Sequence, residues 1–168
     1  MTGTGSTPTA GTQIWNTEYV TLLGLGDYGI DGSSAANRLV GNIGSNRLDG
    51  GTGNDTLTGG AGEDLFVFSA APSSNVDHIT DFALSSDKIV LDDVIFSAIG
   101  PTLDASEFRA AAGATTGADA DDRIILNLTN GVLYYDADGN DAGASAAFTR
   151  IDNSEAWAAL SASDFLIA

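Results

Sequence analysis

Asp55 and Asp64 stand nine residues apart, and each closes a six-residue stretch of the form Gly-Gly-x-Gly-x-Asp, "GGTGND" and "GGAGED". A carboxylate behind glycines at this spacing can act in two ways. It can cap its own backbone as an Asx-turn, or it can join carbonyl oxygens that the glycines allow to converge. Converging carbonyls and carboxylates repel one another unless a cation lies among them. Ca2+ suits such a set, because it takes about six to eight oxygen ligands at roughly 2.3–2.6 Å in an adaptable geometry. Mg2+ demands a stricter octahedron and releases water reluctantly. Zn2+ and Cu2+ lack their preferred ligands, since the chain has one His and no Cys.

The elements that must position these acids follow from a period of nine. Rows of nine place Ile30, Leu39, Leu48, Leu57 and Phe66 in one column, with Tyr28, Asn37, Asn46, Asp55 and Asp64 two residues before each. The rows "GGTGNDTLT" and "GGAGEDLFV" fit G-G-x-G-x-D-x-U-x in full. "GNIGSNRLD" keeps Gly41 and Gly44 but has Asn where Asp belongs, and "GSSAANRLV" keeps only its first Gly, the Asn and the Leu. Six positions of a row form a turn, and the last three form a short strand with one inward apolar side chain. A single row cannot bury that side chain, so rows must stack. Successive turns then fall on opposite edges, with 50–55 over 32–37 and 59–64 over 41–46.

"GGTGNDTLTGGAGEDLFVF" resembles the RTX, or hemolysin-type, calcium-binding repeat of bacterial secreted proteins. "VDHITDFALSSDKIVL" is similar to the segment that closes the β-roll in serralysin-like C-terminal domains, and "GVLYYDADGNDAG" and the terminal "DFLIA" resemble the tails of such proteins. The resemblance implies a parallel β-roll that folds on Ca2+ outside the cell, after export by a type I secretion system that reads an uncleaved C-terminal signal. It also implies a ligand shell in which the carbonyls of Gly50, Gly51 or Thr52, Gly53, Gly59, Gly60 and Gly62 join Asp55 and Asp64. One or both of Asp77 and Asp81 would close the last site; otherwise they are solvated strand residues. Asn37 and Asn46 offer an oxygen without charge, so they serve weaker sites or only close their turns. The expected count is about two to four ions, with affinities on the order of 10⁻⁴–10⁻³ M.

The rest of the chain bounds the alternatives. Six Lys and Arg against 23 Asp and Glu give a formal charge of −17, which repels nucleic acid and anionic membranes. No apolar run is long enough to span a membrane, and "MTGTGSTPTAGTQ" lacks the features of a signal peptide. This head reads as a flexible linker over 1–13, and the chain as a piece of something longer. The expected organisation is a roll over 14–92 with an N-terminal cap from Trp15 and Tyr19, then a β-rich part over 93–168 carrying the export signal. The fold class is mainly β: a parallel β-roll extended by an antiparallel, sandwich-like part with two short helices. Those helices are expected in "DASEFRAAAG", with Asp104 or Ser106 at its start and Gly113 beyond its end, and in "NSEAWAALS", capped by Asn153 or Ser154. "RIILNL" and "GVLYYDA" read as strands around a turn at "TNG". "DADGND" starts like an EF-hand but has Asp141 for the required Gly and Ala147 for the closing Glu, so a hairpin turn is the better reading, with a peripheral ion there as the alternative.

Catalysis is not expected. His78 sits in a strand pattern without a nucleophile motif and reads as an exposed strand residue. Paired acids are claimed by the turns. The leading function is a calcium-dependent folding and secretion module whose partners are Ca2+ and the type I machinery. Two alternatives stand beside it: an accessory glycan-binding module of a polysaccharide-active enzyme, and a terminal module of an adhesin or surface-layer protein.

Overall fold

A computed structural model describes residues 12–13 (backbone only), 18–72, 75–140 and 143–168. Trp15 and most of the expected linker lie outside the described residues. The chain winds as a flattened coil whose strands alternate between two sheets. β1 (Thr12–Gln13), β3 (Gly29–Asp31), β5 (Arg47–Asp49), β7 (Leu65–Phe68) and β9 (Lys88–Leu91) form one sheet. β2 (Tyr19–Thr21), β4 (Arg38–Val40), β6 (Thr56–Thr58) and β8 (Asp77–Ile79) form the other. Neighbours within each sheet are parallel.

The register comes from the apolar column. Ile30 pairs with Leu48, Leu48 with Phe66, and Phe66 with Ile89 on one sheet; Leu39 pairs with Leu57, and Leu57 with Ile79, on the other. All of these residues are at most 1% exposed. Each three-residue strand contributes one side chain to the core, so the sheets face each other across a single file of Ile, Leu and Phe. At about 1.5–3 kcal/mol for each fully buried side chain, no row is stable alone and the stack is. Tyr19 does not cover the open end: it is 56% exposed, with the Arg38 guanidinium 5.0 Å from its ring centroid. Val20 and Leu22 are the buried residues there.

After the repeats, both sheets continue into the C-terminal part. β10 (Phe108–Ala111), β11 (Ile124–Asn127), β12 (Val132–Tyr135) and β13 (Ala146–Ile151) extend the even-numbered sheet, with β13 parallel to β8. β12 runs antiparallel to both β11 and β13, so "TNG" and the segment that begins "DADGN" connect antiparallel neighbours. β14 (Phe165–Ile167) adds a last edge strand beside β9. The two layers are joined by edge-to-face aromatic contacts, Phe68–Phe148 at 5.1 Å, Phe96–Phe148 at 5.3 Å and Phe96–Tyr135 at 4.9 Å.

Helix is scarce. α1 (Ser154–Trp157) is capped by the Asn153 side chain, as its sequence suggests, and a short 3₁₀ turn covers Ala162–Asp164. The expected helix at 104–113 is instead a turn leading into β10, which pairs in parallel with β11. Its Ala and Arg content favours helix, but ten residues give too little local stability to hold one in water. Pairing with β11 and the contact of Phe108 with Phe165 at 5.6 Å outweigh that propensity.

Candidate metal centre

Along each edge of the roll, stacked turns are tied by a ladder of carboxylates and backbone amides. On the first edge, Asn37 N–H donates to Asp55 Oδ1 at 2.7 Å, and Asp55 N–H donates to Asp77 Oδ1 at 3.0 Å. On the second, Asn46 N–H donates to Asp64 Oδ1 at 2.8 Å, and Asp64 N–H donates to Asp87 Oδ1 at 3.1 Å. Each acid therefore spends one oxygen on the amide of the row before it. The second oxygens, Asp55 Oδ2 and Asp64 Oδ2, are buried and have no hydrogen-bond partner. Both residues are 1% exposed. A buried, unpartnered carboxylate oxygen is costly unless something positive meets it.

Around these oxygens the backbone supplies more. A methyl group at Gly32 would collide with Gly50 O, and one at Gly41 with Gly59 O. Gly53 has φ +122°, and a Cβ there would lie 2.8 Å from Ala35 O; Gly62 has φ +118°, and its Cβ would lie 2.6 Å from Gly44 O. Gly53 and Gly62 combine a left-handed backbone with a close approach to the previous turn, which only glycine allows. Stacked turns thus approach through bare backbone and carbonyls, and each orphaned oxygen lies against the glycine that opens its row, Asp55 Oδ2 at Gly50 and Asp64 Oδ2 at Gly59. Gly51 and Gly60 approach Ser33 O and Asn42 O in the same way, while Thr52 sits at the turn's outer bend, exposed. No group of three or more His, Cys, Asp or Glu is assembled among the described residues. The donor set is one carboxylate oxygen with backbone carbonyls, hard and anionic, and it fits Ca2+.

Burial raises the Asp55 carboxyl to about 6, and burial raises Asp64 likewise to about 6. Burial takes Asp77 to about 7, with the charges of Asp55 and Asp49 adding to it. Asp87 is raised in the same direction by its burial. Burial without a neutralising partner thus shifts all four carboxyls towards the protonated form.

The other expected site residues fall into place as follows. Asn37 Oδ1 accepts Ser33 N–H at 2.6 Å and Asn46 Oδ1 accepts Asn42 N–H at 2.8 Å, so each closes its own turn. Asp77 is the third rung of the first ladder and 2% exposed. Asp81 occupies a different position: its two oxygens accept Gly59 and Gly60 N–H, each at 2.9 Å. The third rung of the second ladder is Asp87, which the sequence reading missed. The signal was present, because Asp87-Lys88-Ile89 repeats the Asp-x-apolar spacing of Asp55-Thr56-Leu57 and Asp77-His78-Ile79. Insertion lengthens the row offset from 18 residues to 22 and 23 at this point, which hides the period. The His78 side chain is 41% exposed, with Nδ1 3.8 Å from Asp152 Oδ1.

Comparison with known proteins bears on the same residues. The family model described as "RTX calcium-binding nonapeptide repeat (4 copies)" matches residues 31–66. No curated protein matches the sequence. Among solved structures, the chain is similar to the solution structure of the AlgE6R3 subunit from the Azotobacter vinelandii mannuronan C5-epimerase. That likeness has a TM-score of 0.55 at 24% identity and covers 96% of this chain and 86% of the other, which speaks to the fold. Apolar column, paired turns and family match coincide: residues 31–66 carry RTX calcium-binding nonapeptide repeats, wound as a β-roll.

Proposed function

We propose that this chain is a calcium-dependent folding module of a secreted protein, with Asp55 and Asp64 as the principal anionic ligands. The observation that carries the reading is the pair of buried, unpartnered Oδ2 atoms set against stacked glycine turns. Carbonyls of Gly50, Gly53, Gly59 and Gly62, with Gly51, Thr52 and Gly60 beside them, complete the shell. Asp77 and Asp87 extend it to the closing turns. Asp81 holds the Gly59–Gly60 amides in place, and Asn37 and Asn46 close the weaker turns. Calcium supplies the positive charge that these oxygens lack. The protein's own residues orient the oxygens and exclude water from the space between rows.

A chain of −17 is extended by self-repulsion when calcium is scarce, and bound ions reverse that. Each independent site adds RT ln(1+[Ca]/Kd), about 1.4 kcal/mol at ten times Kd. This favours passage through a type I secretion machinery as an unfolded chain, with the C-terminal part read as the signal, and folding in the calcium-rich exterior. RTX repeats are typical of such extracellular proteins. Far-UV circular dichroism of the metal-stripped chain tests the reading: sheet signal should rise on titration with calcium and vanish with EGTA. A full sheet spectrum indifferent to calcium refutes it.

A second reading draws on the structural neighbour, a subunit of an enzyme acting on mannuronan. The chain would then be an accessory glycan-binding module. Affinity electrophoresis through several polysaccharides, with calcium present, separates the two by retardation.

A further inference from the structure

The repeats are not the only place where a buried carboxylate oxygen lacks a partner. Asp136, in the connection after β12, is 1% exposed. Its Oδ2 accepts Gly117 N–H at 3.0 Å, while its Oδ1 is buried without any hydrogen bond. This is the signature of Asp55 and Asp64: one oxygen held by a backbone amide, the other aimed into the interior of a turn.

The partner segment resembles a worn row of the roll. In "GADADDRI" a Gly stands five residues before Asp122 and an apolar residue two after it, matching Gly50, Asp55 and Leu57. Ala118 N–H donates to Asp122 Oδ2 at 2.7 Å, as Asn42 N–H does to Asn46 at 2.8 Å and Ala83 N–H to Asp87 at 2.8 Å. Ile124 is fully buried, like the column residues. The stacking also recurs: a Cβ on Gly117 would lie 2.8 Å from Gly139 O, and one on Gly139, at φ +71°, would lie 2.7 Å from Asp119 O. Carbonyls of two facing turns therefore come together at Gly117, whose own N–H is the donor to the Asp136 carboxylate.

Charge completes the case. Asp119, Asp121 and Asp122 belong to one segment of this junction and Asp138 to the other. Arg109 Nε lies 3.8 Å from Asp122, and Arg123 donates to the carbonyls of Ala120 at 2.9 Å and Asp122 at 3.1 Å. Among the described residues no cationic side chain forms an ion pair with Asp136. We propose that the junction of 117–122 with 136–140 is a separate calcium site, outside the repeats, with Asp136 as its anionic ligand and the Asp119 and Gly139 carbonyls as neutral ones.

The test counts calcium ions on the full chain by isothermal titration calorimetry. Asp136→Asn keeps the Gly117 bond and removes the charge. It should bind one ion fewer than the parent while the calcium-driven sheet signal of the roll persists. An unchanged count overturns the proposal. Should that variant not fold, the parent chain serves: exchange of its calcium for Gd3+ should broaden the amide resonances of Gly117 and Gly139 along with those of Gly50 and Gly59. Broadening confined to the repeats overturns the proposal. Broadening confined to Gly117 and Gly139 supports it and refutes the assignment of the repeats instead, so the two readings fail separately.

Discussion

Asp55→Asn is the sharpest probe of the roll, because the substitution preserves shape and removes only charge. The amide Oδ1 keeps the 2.7 Å bond from Asn37 N–H, and the backbone N–H keeps its bond to Asp77. What changes is the buried Oδ2 position, where an NH2 group replaces an oxygen. Near saturation, a tenfold rise in calcium stabilises the fold by about 1.4 kcal/mol for each ion bound. For a chain of this size that corresponds to roughly 3–6 °C in melting temperature per ion. Thermal melts at two calcium concentrations a decade apart should therefore show a smaller calcium-induced shift in Asp55→Asn, by about that amount for each ion lost. The deficit of the variant should therefore shrink at the lower calcium concentration, where the parent gains less from the ion. Equal destabilisation at both calcium concentrations would refute the reasoning, because Asp55 would then act only as a hydrogen-bonding strut.

Two further outcomes follow from the same geometry. Asp55 and Asp64 titrate at about 6 and Asp77 at about 7 in the metal-free fold, above the ordinary Asp value. The native chain then holds protons that the unfolded chain has lost, so this stability is present at low pH and falls as pH rises through that window. Protons therefore compete with calcium for these carboxyls, and calcium titrations followed by far-UV circular dichroism should need more calcium at pH 5 than at pH 8; equal midpoints would refute this. Gly53→Ala places a methyl 2.8 Å from Ala35 O at φ +122° and should cost about 1–3 kcal/mol or more. Gly113→Ala, at φ +72° with open space around it, should cost only the backbone term of about 1–2 kcal/mol, measured for both by urea unfolding in calcium.

Much of the roll was legible in the residues alone. Ile30, Leu39, Leu48, Leu57 and Phe66 recur every nine positions because each row has one inward side chain, and that spacing alone dictates two parallel sheets with turns alternating between edges. The acids at 55 and 64 stand out for the same reason: their turn is local, and a local turn is written in consecutive residues. Asn153 as the cap of α1 belongs to this class too. The segment at 104–113 does not. Its own propensity is helical, and only β11, arriving thirteen residues later, makes it a strand. Asp87 escaped because an insertion broke the period before it, so its place on the ladder depends on where β9 docks against β7. Asp136 and Gly117 are nineteen residues apart on different elements, and no local pattern announces their meeting. Periodicity survives in sequence wherever a structure repeats itself by stacking. Contacts between unlike segments carry no period, because they are decided by which faces remain to be buried once the stack has formed.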